Sequence, residues 1–282
     1  MAAKPEPEAD ELPAPSAPFS QSLERGLMVL SALSERQPVL GIADIARAVN
    51  LSKSTTYRYV ATLTQLDYLN QDPDTKKYSL GSKAVDLGFA AINSMELTRI
   101  AARPLQALAD DTGYTVSMVV LDGGDIVYVD RRRSGRGADF GMELNLHIGS
   151  RLPAYCTAMG KVLLAYRDQA ALRAILDRTD LARRGPKTIT AREQLMTALT
   201  RVRHSGLAVN DEELTPGLRA LAAPVRDRSG AVVAAVGIVV NMATWNASIE
   251  AIVARLEAPL RAATADISSH LGYRDGTQSH ED

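Results

Sequence analysis

The stretch Ser52-Lys53-Ser54-Thr55-Thr56-Tyr57-Arg58-Tyr59-Val60-Ala61-Thr62-Leu63 decides how the chain is read. Ser52 can cap a helix, and Thr56, Tyr59, Val60 and Leu63 then recur at the three- and four-residue spacing of a buried stripe. That leaves Lys53, Ser54, Thr55, Tyr57 and Arg58 facing outward: a cation for phosphate, short hydroxyl donors, and a guanidinium that can bind a base edge through two hydrogen bonds. Upstream, Ile42, Ile45, Ala46 and Val49 share one helical face, which ends at Asn50, a residue that tolerates left-handed backbone. Downstream, Tyr68-Leu69-Asn70 and Tyr78-Ser79-Leu80 read as short strands around Asp72-Pro73-Asp74-Thr75-Lys76, a hairpin with Lys76 and Lys77 at its tip. Helix, tight turn, helix and hairpin make a winged helix-turn-helix, whose second helix enters the DNA major groove. A small helical dimerisation module with a solvated face is the rival use of the same spacing.

Working outward, 282 residues leave room for one large domain or a small one joined to a larger one. With 46% apolar and 23% charged residues the composition is that of a folded globular protein. The longest apolar run, Ala231–Val240, is about half of what a membrane helix requires. The first residues carry Glu6, Glu8, Asp10 and Glu11 among prolines, unlike a secretion signal. One cysteine, Cys156, excludes an intrachain disulfide and a clustered-cysteine zinc site, and the cytoplasm is the expected compartment. A net charge of −1 argues against coating nucleic acid by bulk electrostatics. Any DNA contact must depend on where the cations sit.

Before the helix pair, Leu23, Leu27, Leu30 and Leu33 give a first helix from Gln21, broken before Pro38. After the hairpin, Val85, Leu87, Phe89 and Ile92 fit a linker helix. From Thr115 the period changes to two: Val116–Leu121, a turn at Asp122–Asp125, then a strand from Ile126. Phe140, Met142, Leu144, Leu146 and Ile148 alternate as another strand. Ala154–Tyr166 reads as an apolar helix, Thr190 and Glu193 have capping-box spacing at the head of a helix running to Gly206, and Leu218–Arg226 and Ala231–Asn241 read as strands. A helix from about Asn246 to Leu271 ends the pattern, so the second part is an α+β domain.

The string Ser20–Leu27, the helix pair through Arg58 and the wing ending Tyr78-Ser79-Leu80-Gly81 resemble the DNA-binding half of the IclR-type transcriptional regulators. Gly149–Ala165 and Gly206–Val225 resemble that family's effector-binding half in order and spacing. The resemblance implies an α+β two-domain chain: a winged helix-turn-helix at 20–81, a linker helix at 82–98 and a GAF-like effector-binding domain at 99–273. A disordered tail at 1–19 and a flexible one at 274–282 complete it. It further implies a dimer, often a dimer of dimers, that binds double-stranded operator DNA through Ser52, Lys53, Ser54, Thr55, Tyr57, Arg58, Lys76 and Lys77 and responds to a small organic acid. Thr56 and Tyr59 depart from the aliphatic residues usual in the family. Leu121–Val129 and Arg151–Tyr155 look most like the branch that controls aromatic-acid catabolism.

Carried over from the family, the effector site is lined by Leu144, Leu152, Ala158, Met159, Asn210, Leu218, Ala220, Gly237 and Val239. Relatives that sense very small polar acids tend to carry hydroxyls where Gly237 and Val239 stand, and an acid where Asn210 stands. A more apolar, less negative pocket suits an aromatic or similarly sized acid, with Asn210 and backbone amides near Ala154–Ala158 holding its carboxylate.

An enzyme or sensor with a fused helix-turn-helix is the alternative. Gly135-Arg136-Gly137 through Gly141 superficially resembles a dinucleotide loop, but its third glycine is one place late and no helix follows. Gly160-Lys161 lacks the rest of a phosphate loop, and the four histidines have no metal-ligand spacing. No cofactor and no metal are expected. Cys156 reads as core filler, Arg131–Arg133 with Arg136 as a solvated loop rather than a contact with DNA or a partner subunit, and Asp211-Glu212-Glu213 as charge on a loop.

Overall fold

The computed structural model describes residues 19–34, 37–93, 96–134 and 146–274, so most of the two expected tails lies outside the described residues. The chain divides into two compact units, Met1–Ala91 and Ile92–Asp282. The two-domain α+β reading holds.

In the first unit, α1 (Gln21–Ala32) is capped by Ser20, which accepts from Leu23 N. Its inner edge is Val29 and Leu33 with Leu30 partly buried, while Leu23 and Leu27 are 64% and 54% exposed. The four-leucine stripe is therefore only half core, because Val29, one turn before Leu33, takes the inward position. Helix α2 (Ile42–Ala48) ends in a Schellman motif. Asn50 adopts a left-handed conformation (φ 51°), Leu51 N donates to Ala46 O at 3.0 Å, and Asn50 N donates to Arg47 O at 3.3 Å.

Helix α3 (Lys53–Gln65) starts on Ser52, whose hydroxyl accepts from Thr55 N at 3.1 Å. Thr56 and Val60 are fully buried on its inner side, with Tyr59 and Leu63 packed partly against the same core. The unusual Thr56 fits because its hydroxyl donates to Ser52 O at 3.0 Å, so no buried polar group is left unmet. Strands β1 (Leu69–Gln71) and β2 (Tyr78–Leu80) pair Leu69 with Leu80, one residue later in the first strand than the sequence suggests. Leu40 joins as a third rung, exchanging backbone hydrogen bonds with Tyr78 at 3.0 and 2.8 Å. In the wing turn the Asp72 carboxylate accepts from the Thr75 amide and hydroxyl and from Asp74 N, which holds it below the usual carboxylate range.

Beyond the wing, α4 spans Ser82–Asn93. Glu96–Thr98, assigned by sequence to the linker, open a second helix, α5 (Glu96–Thr112), that Pro104 concealed by breaking the expected pattern. Its stripe Ala101, Leu105, Leu108, Ala109 and Thr112 is buried.

The second unit is built on a six-stranded antiparallel sheet of order β5-β4-β3-β8-β7-β6. Its strands are β3 (Val116–Asp122), β4 (Asp125–Arg132), β5 (Arg151–Pro153), β6 (Ala208–Asp211), β7 (Leu218–Arg226) and β8 (Val232–Asn241). One face packs on α5 and α9 (Ile249–His270), the other on α6 (Ala158–Ala165), with α7 (Gln169–Leu176) and α8 (Arg192–Ser205) beyond it. All eight residues of α6 are buried, as a helix that is apolar on every side but for Lys161 requires.

Several boundaries differ from the sequence reading. The apolar segment from Ala154 is a 3-10 turn, Ala154–Cys156, followed by α6 on a Thr157 cap. Helix α8 begins one residue later than the Thr190 box requires, on Ala191 without a side-chain cap, because Glu193 falls at its second position. Helix α9 begins on Ser248. Of the alternating strand expected through Ile148, residues 140–145 lie outside the described residues. Leu146–Ser150 form a turn closed by Ser150 Oγ accepting from His147 N at 3.0 Å.

Gly81 closes the first unit: its amide donates to Tyr68 O at 2.8 Å, and a Cβ placed on it would lie 2.2 Å from Asp67 O. Since a backbone atom cannot yield, Gly81→Ala is expected to destabilise the protein by about 1–3 kcal/mol, measured by chemical denaturation.

Candidate DNA-binding face and effector site

The capped turn and the buried stripe of α3 fix which of its residues reach solvent. Lys53, Ser54, Tyr57 and Arg58 are exposed, Tyr57 to 60%. Thr55, expected to face outward, is half-buried. Ser52 Oγ donates to Thr55 Oγ1 at 2.8 Å and lies 3.0 Å from Ser54 Oγ, so these three hydroxyls first serve the helix start. Among the described residues, Lys53, Arg58, Lys76 and Lys77 form no ion pair, and both wing lysines are exposed. Lys76 adopts φ 57°, which turns the chain back into β2.

In the second unit, sheet register brings most of the proposed effector residues to the face that meets α6. Asn210, Ala220 and Val239 form one row across β6, β7 and β8, and Ala222 and Gly237 form the next. Leu218, paired with Asn241, lies one row further on that face. Ala158 and Met159 enter from α6. Met159 lies against Gly237 so closely that a Cβ there would sit 2.6 Å from Cγ and 2.9 Å from Sδ. Leu152 contributes to the same core, but from β5 at the opposite edge of the sheet. Leu144 lies outside the described residues.

The polar groups around α6 are more committed than the sequence suggested. Asn210 Nδ2 donates to Cys156 O at 2.6 Å, and its Oδ1 accepts from Glu213 N at 3.3 Å. Thr157 Oγ1 accepts from Gly160 N at 3.1 Å, leaving the first two amides of α6, on Ala158 and Met159, without an intrahelical acceptor. Lys161 is buried and donates to Val209 O at 2.6 Å and to Glu213 Oε1. Burial pushes the Glu213 carboxyl above its usual range despite the Lys161 ammonium beside it, and Glu213 Oε2 is buried without a hydrogen-bond partner. Burial and the nearby Glu213 push the Cys156 thiol up to about 11, so it carries no thiolate at neutral pH.

These contacts correct two sequence readings. Asp211-Glu212-Glu213 is a set of three locks rather than solvated charge. Burial alone would raise the Asp211 carboxyl, but Lys187 at 2.7 Å and Arg219 at 2.6 Å hold it below the usual range. Glu212 accepts from Gly217 N, and Glu213 holds Lys161. Arg131 and Arg132 lie on β4, not in a solvated loop. Arg131 donates to Leu146 O at 2.9 Å and Arg132 pairs with the buried Asp130 at 2.7 Å. Arg136 lies outside the described residues. Lys161 and Glu213 are what sequence reasoning missed, since a Gly-Lys pair and an acidic run gave no sign that they meet across 52 residues.

Removing one member of a buried pair strands the other. Lys161→Met should therefore cost about 3–5 kcal/mol in urea denaturation, and adding Glu213→Leu should restore most of it.

Among the described residues, no His, Cys, Asp or Glu cluster is placed to hold a metal ion, and no helix is long and apolar enough to cross a membrane. Comparison with known proteins identifies the two units. The IclR helix-turn-helix domain matches residues 22–73, and the bacterial transcriptional regulator IclR C-terminal domain matches residues 89–269. The chain is 36% identical over 250 residues to the transcriptional regulator KdgR of Escherichia coli, covering 88% of this chain and 91% of that one. It is 38% identical over 221 residues to the Pca regulon regulatory protein of Pseudomonas putida, covering 78% and 74%. An IclR homologue from Microbacterium hydrocarbonoxydans, solved in complex with 4-hydroxybenzoate, superposes with a TM-score of 0.75 at 22% identity, covering 88% and 98%, a likeness of fold. The relatives are regulators, which removes the enzyme alternative. The chain is a member of the IclR family of DNA-binding, ligand-responsive transcriptional regulators.

Proposed function

We propose that the chain binds an inverted-repeat operator as a dimer and changes that binding when an aromatic or similarly sized acid occupies the α6 face of the sheet. The division of labour follows the reading from sequence: residues 20–81 bind DNA, 82–98 link, and 99–273 bind the effector, in the cytoplasm where the DNA is.

The observation that carries the DNA half is an outward face of α3 with cations left free by a helix whose other side is locked in the core. Arg58 reads a base edge, Lys53 and the wing residues Lys76 and Lys77 hold phosphates, and Tyr57 packs against the backbone. Ser52, Ser54 and Thr55 contribute through the α3 N-terminus they organise. The dimer seam runs through Leu23 and Leu27 of α1 and Val85 of α4, exposed apolar residues of a unit too small to bury them alone, together with Leu30. Phe89 and Ile92, which the sequence reading adds to the seam, have side chains outside the described ones. Two such units place their recognition helices about 34 Å apart, one turn of duplex.

For the effector, Ala220 and Val239 of one row and Gly237 of the next supply apolar surface, with Ala158, Leu152, Leu218 and Leu144 completing the lining. Met159 fills the space over Gly237, so the acid displaces its flexible side chain. The second Asn210 amide hydrogen and the Ala158 and Met159 amides receive the carboxylate. The name of the Pca regulon relative and the bound 4-hydroxybenzoate of the Microbacterium homologue support this ligand class.

On DNA selected by the full chain from a random library, Arg58→Ala should cost about 1–3 kcal/mol and relax one base position, while Lys53→Ala should weaken all sequences and lower the salt slope by about one. Unchanged affinity in both defeats the DNA half. Sedimentation should show a dimer at micromolar concentration and a monomer for Leu23→Lys with Leu27→Lys. Saturating 4-hydroxybenzoate, at about a hundred times its Kd, should add about 2.7 kcal/mol of stability, and Gly237→Val should abolish the shift. Stabilisation by pyruvate and not by 4-hydroxybenzoate would assign the site to small aliphatic acids instead.

A further inference from the structure

The second unit holds a further cleft of about 990 Å³, just past the C-terminal end of α6, where Tyr166 lines it, and lined by none of the proposed effector residues. It opens where β6 stops: β6 pairs with β7 only as far as Ala222, and β7 runs on to Arg226. The bare edge is not a slot for another strand. Pro224 has no N–H to offer there, and Arg226 N already donates to Ser268 Oγ at 3.0 Å.

Four arginines, Arg203, Arg226, Arg261 and Arg274, line the cleft together with His204, and among the described residues no carboxylate does. Part of this charge has an internal use. Arg261 Nη2 donates to Ser205 O at 2.7 Å and Tyr166 Oη to Arg203 O at 3.2 Å, which caps the carbonyl end of α8, and Glu257 pairs with Arg261 at 2.8 Å. A helix terminus carries only about half a charge, which accounts for one cation and not for four. Arg226 is held in place: its guanidinium lies 4.6 Å from the Tyr166 ring centroid and 5.8 Å from that of Tyr273, and Nη1 donates to Gly230 O at 2.9 Å. Arg203 and Arg274 have no carboxylate partner among the described residues.

We propose that this cleft is a second ligand site, for a small, multiply charged oxyanion. Guanidinium groups match carboxylate and phosphate oxygens equally well in their fork geometry, and Arg226 and Arg261, already held by their own contacts, lose little freedom on binding. The recess has the volume of a small-molecule site, whereas duplex DNA needs an open face.

Titration calorimetry on the full chain, with citrate and inorganic phosphate at constant ionic strength, tests the site. One saturable event per chain is expected, weakened about tenfold or more by Arg203→Glu with Arg274→Glu. The milder Arg203→Gln, on an exposed position, should weaken it in the same direction should the double variant fail to fold. Tighter citrate assigns the cleft to a polycarboxylate, and tighter phosphate to a phosphoryl group. Heats that do not saturate, or variants that bind both anions as the native chain does, overturn the proposal. So does a loss of DNA affinity in those variants with anion binding unchanged. The 4-hydroxybenzoate shift is read separately, so failure of one site leaves the other standing.

Discussion

The enclosure of α6 is the constraint on which the second unit depends. A helix with every residue buried needs a partner surface on each side, and the sheet can come close only because Ala220, Ala222, Ala235 and Gly237 present almost no side chain toward it. Gly237 is the extreme case, since Met159 occupies the position a Cβ would need. The same small residues that let the helix approach leave the space over Gly237 to a flexible methionine, a side chain that adapts to irregular gaps.

Enclosure also explains the polar chemistry. Lys161 on a fully buried helix cannot reach water, so it must find acceptors inside, and Val209 O and Glu213 supply them. That ties α6 to the outer strand and to the segment beyond it, where Thr188 Oγ1 donates to Glu213 O at 2.6 Å and Gly185 packs against Glu212 O. The acidic run at 211–213 thus fastens the outer strand: Asp211 and Glu212 share Lys187, and Glu213 holds Lys161.

In the first unit the controlling feature is a pair of left-handed residues. Asn50 and Asp67 each end a helix with a six-to-one hydrogen bond, Leu51 N to Ala46 O and Tyr68 N to Leu63 O at 2.8 Å. These turns fix the angle at which α3 leaves α2 and enters the wing, so the exposed side of α3 follows from two backbone conformations and the Thr56 and Val60 stripe. The hydroxyls at its start are largely occupied by capping, which leaves the cations as its free chemistry.

The sequence by itself determined the helix pair, the wing, the strands from Val116 and Leu218, and the outward set on α3 apart from the half-buried Thr55, because each rests on local periodicity and capping residues a few positions apart. It also placed Asn210, Ala220, Gly237 and Val239 together through resemblance, and sheet register sets them in adjacent rows. Only the tertiary structure decided what depends on distant segments meeting. Pro104 hid α5 because its cost to the helix is local while the burial that outweighs it is not. The Lys161–Glu213 pair, the filling of the space over Gly237 by Met159, and the gathering of four arginines at the end of β7 join residues far apart in the chain. Periodicity carries no information about such meetings, and burial energy selects them only once the sheet is assembled.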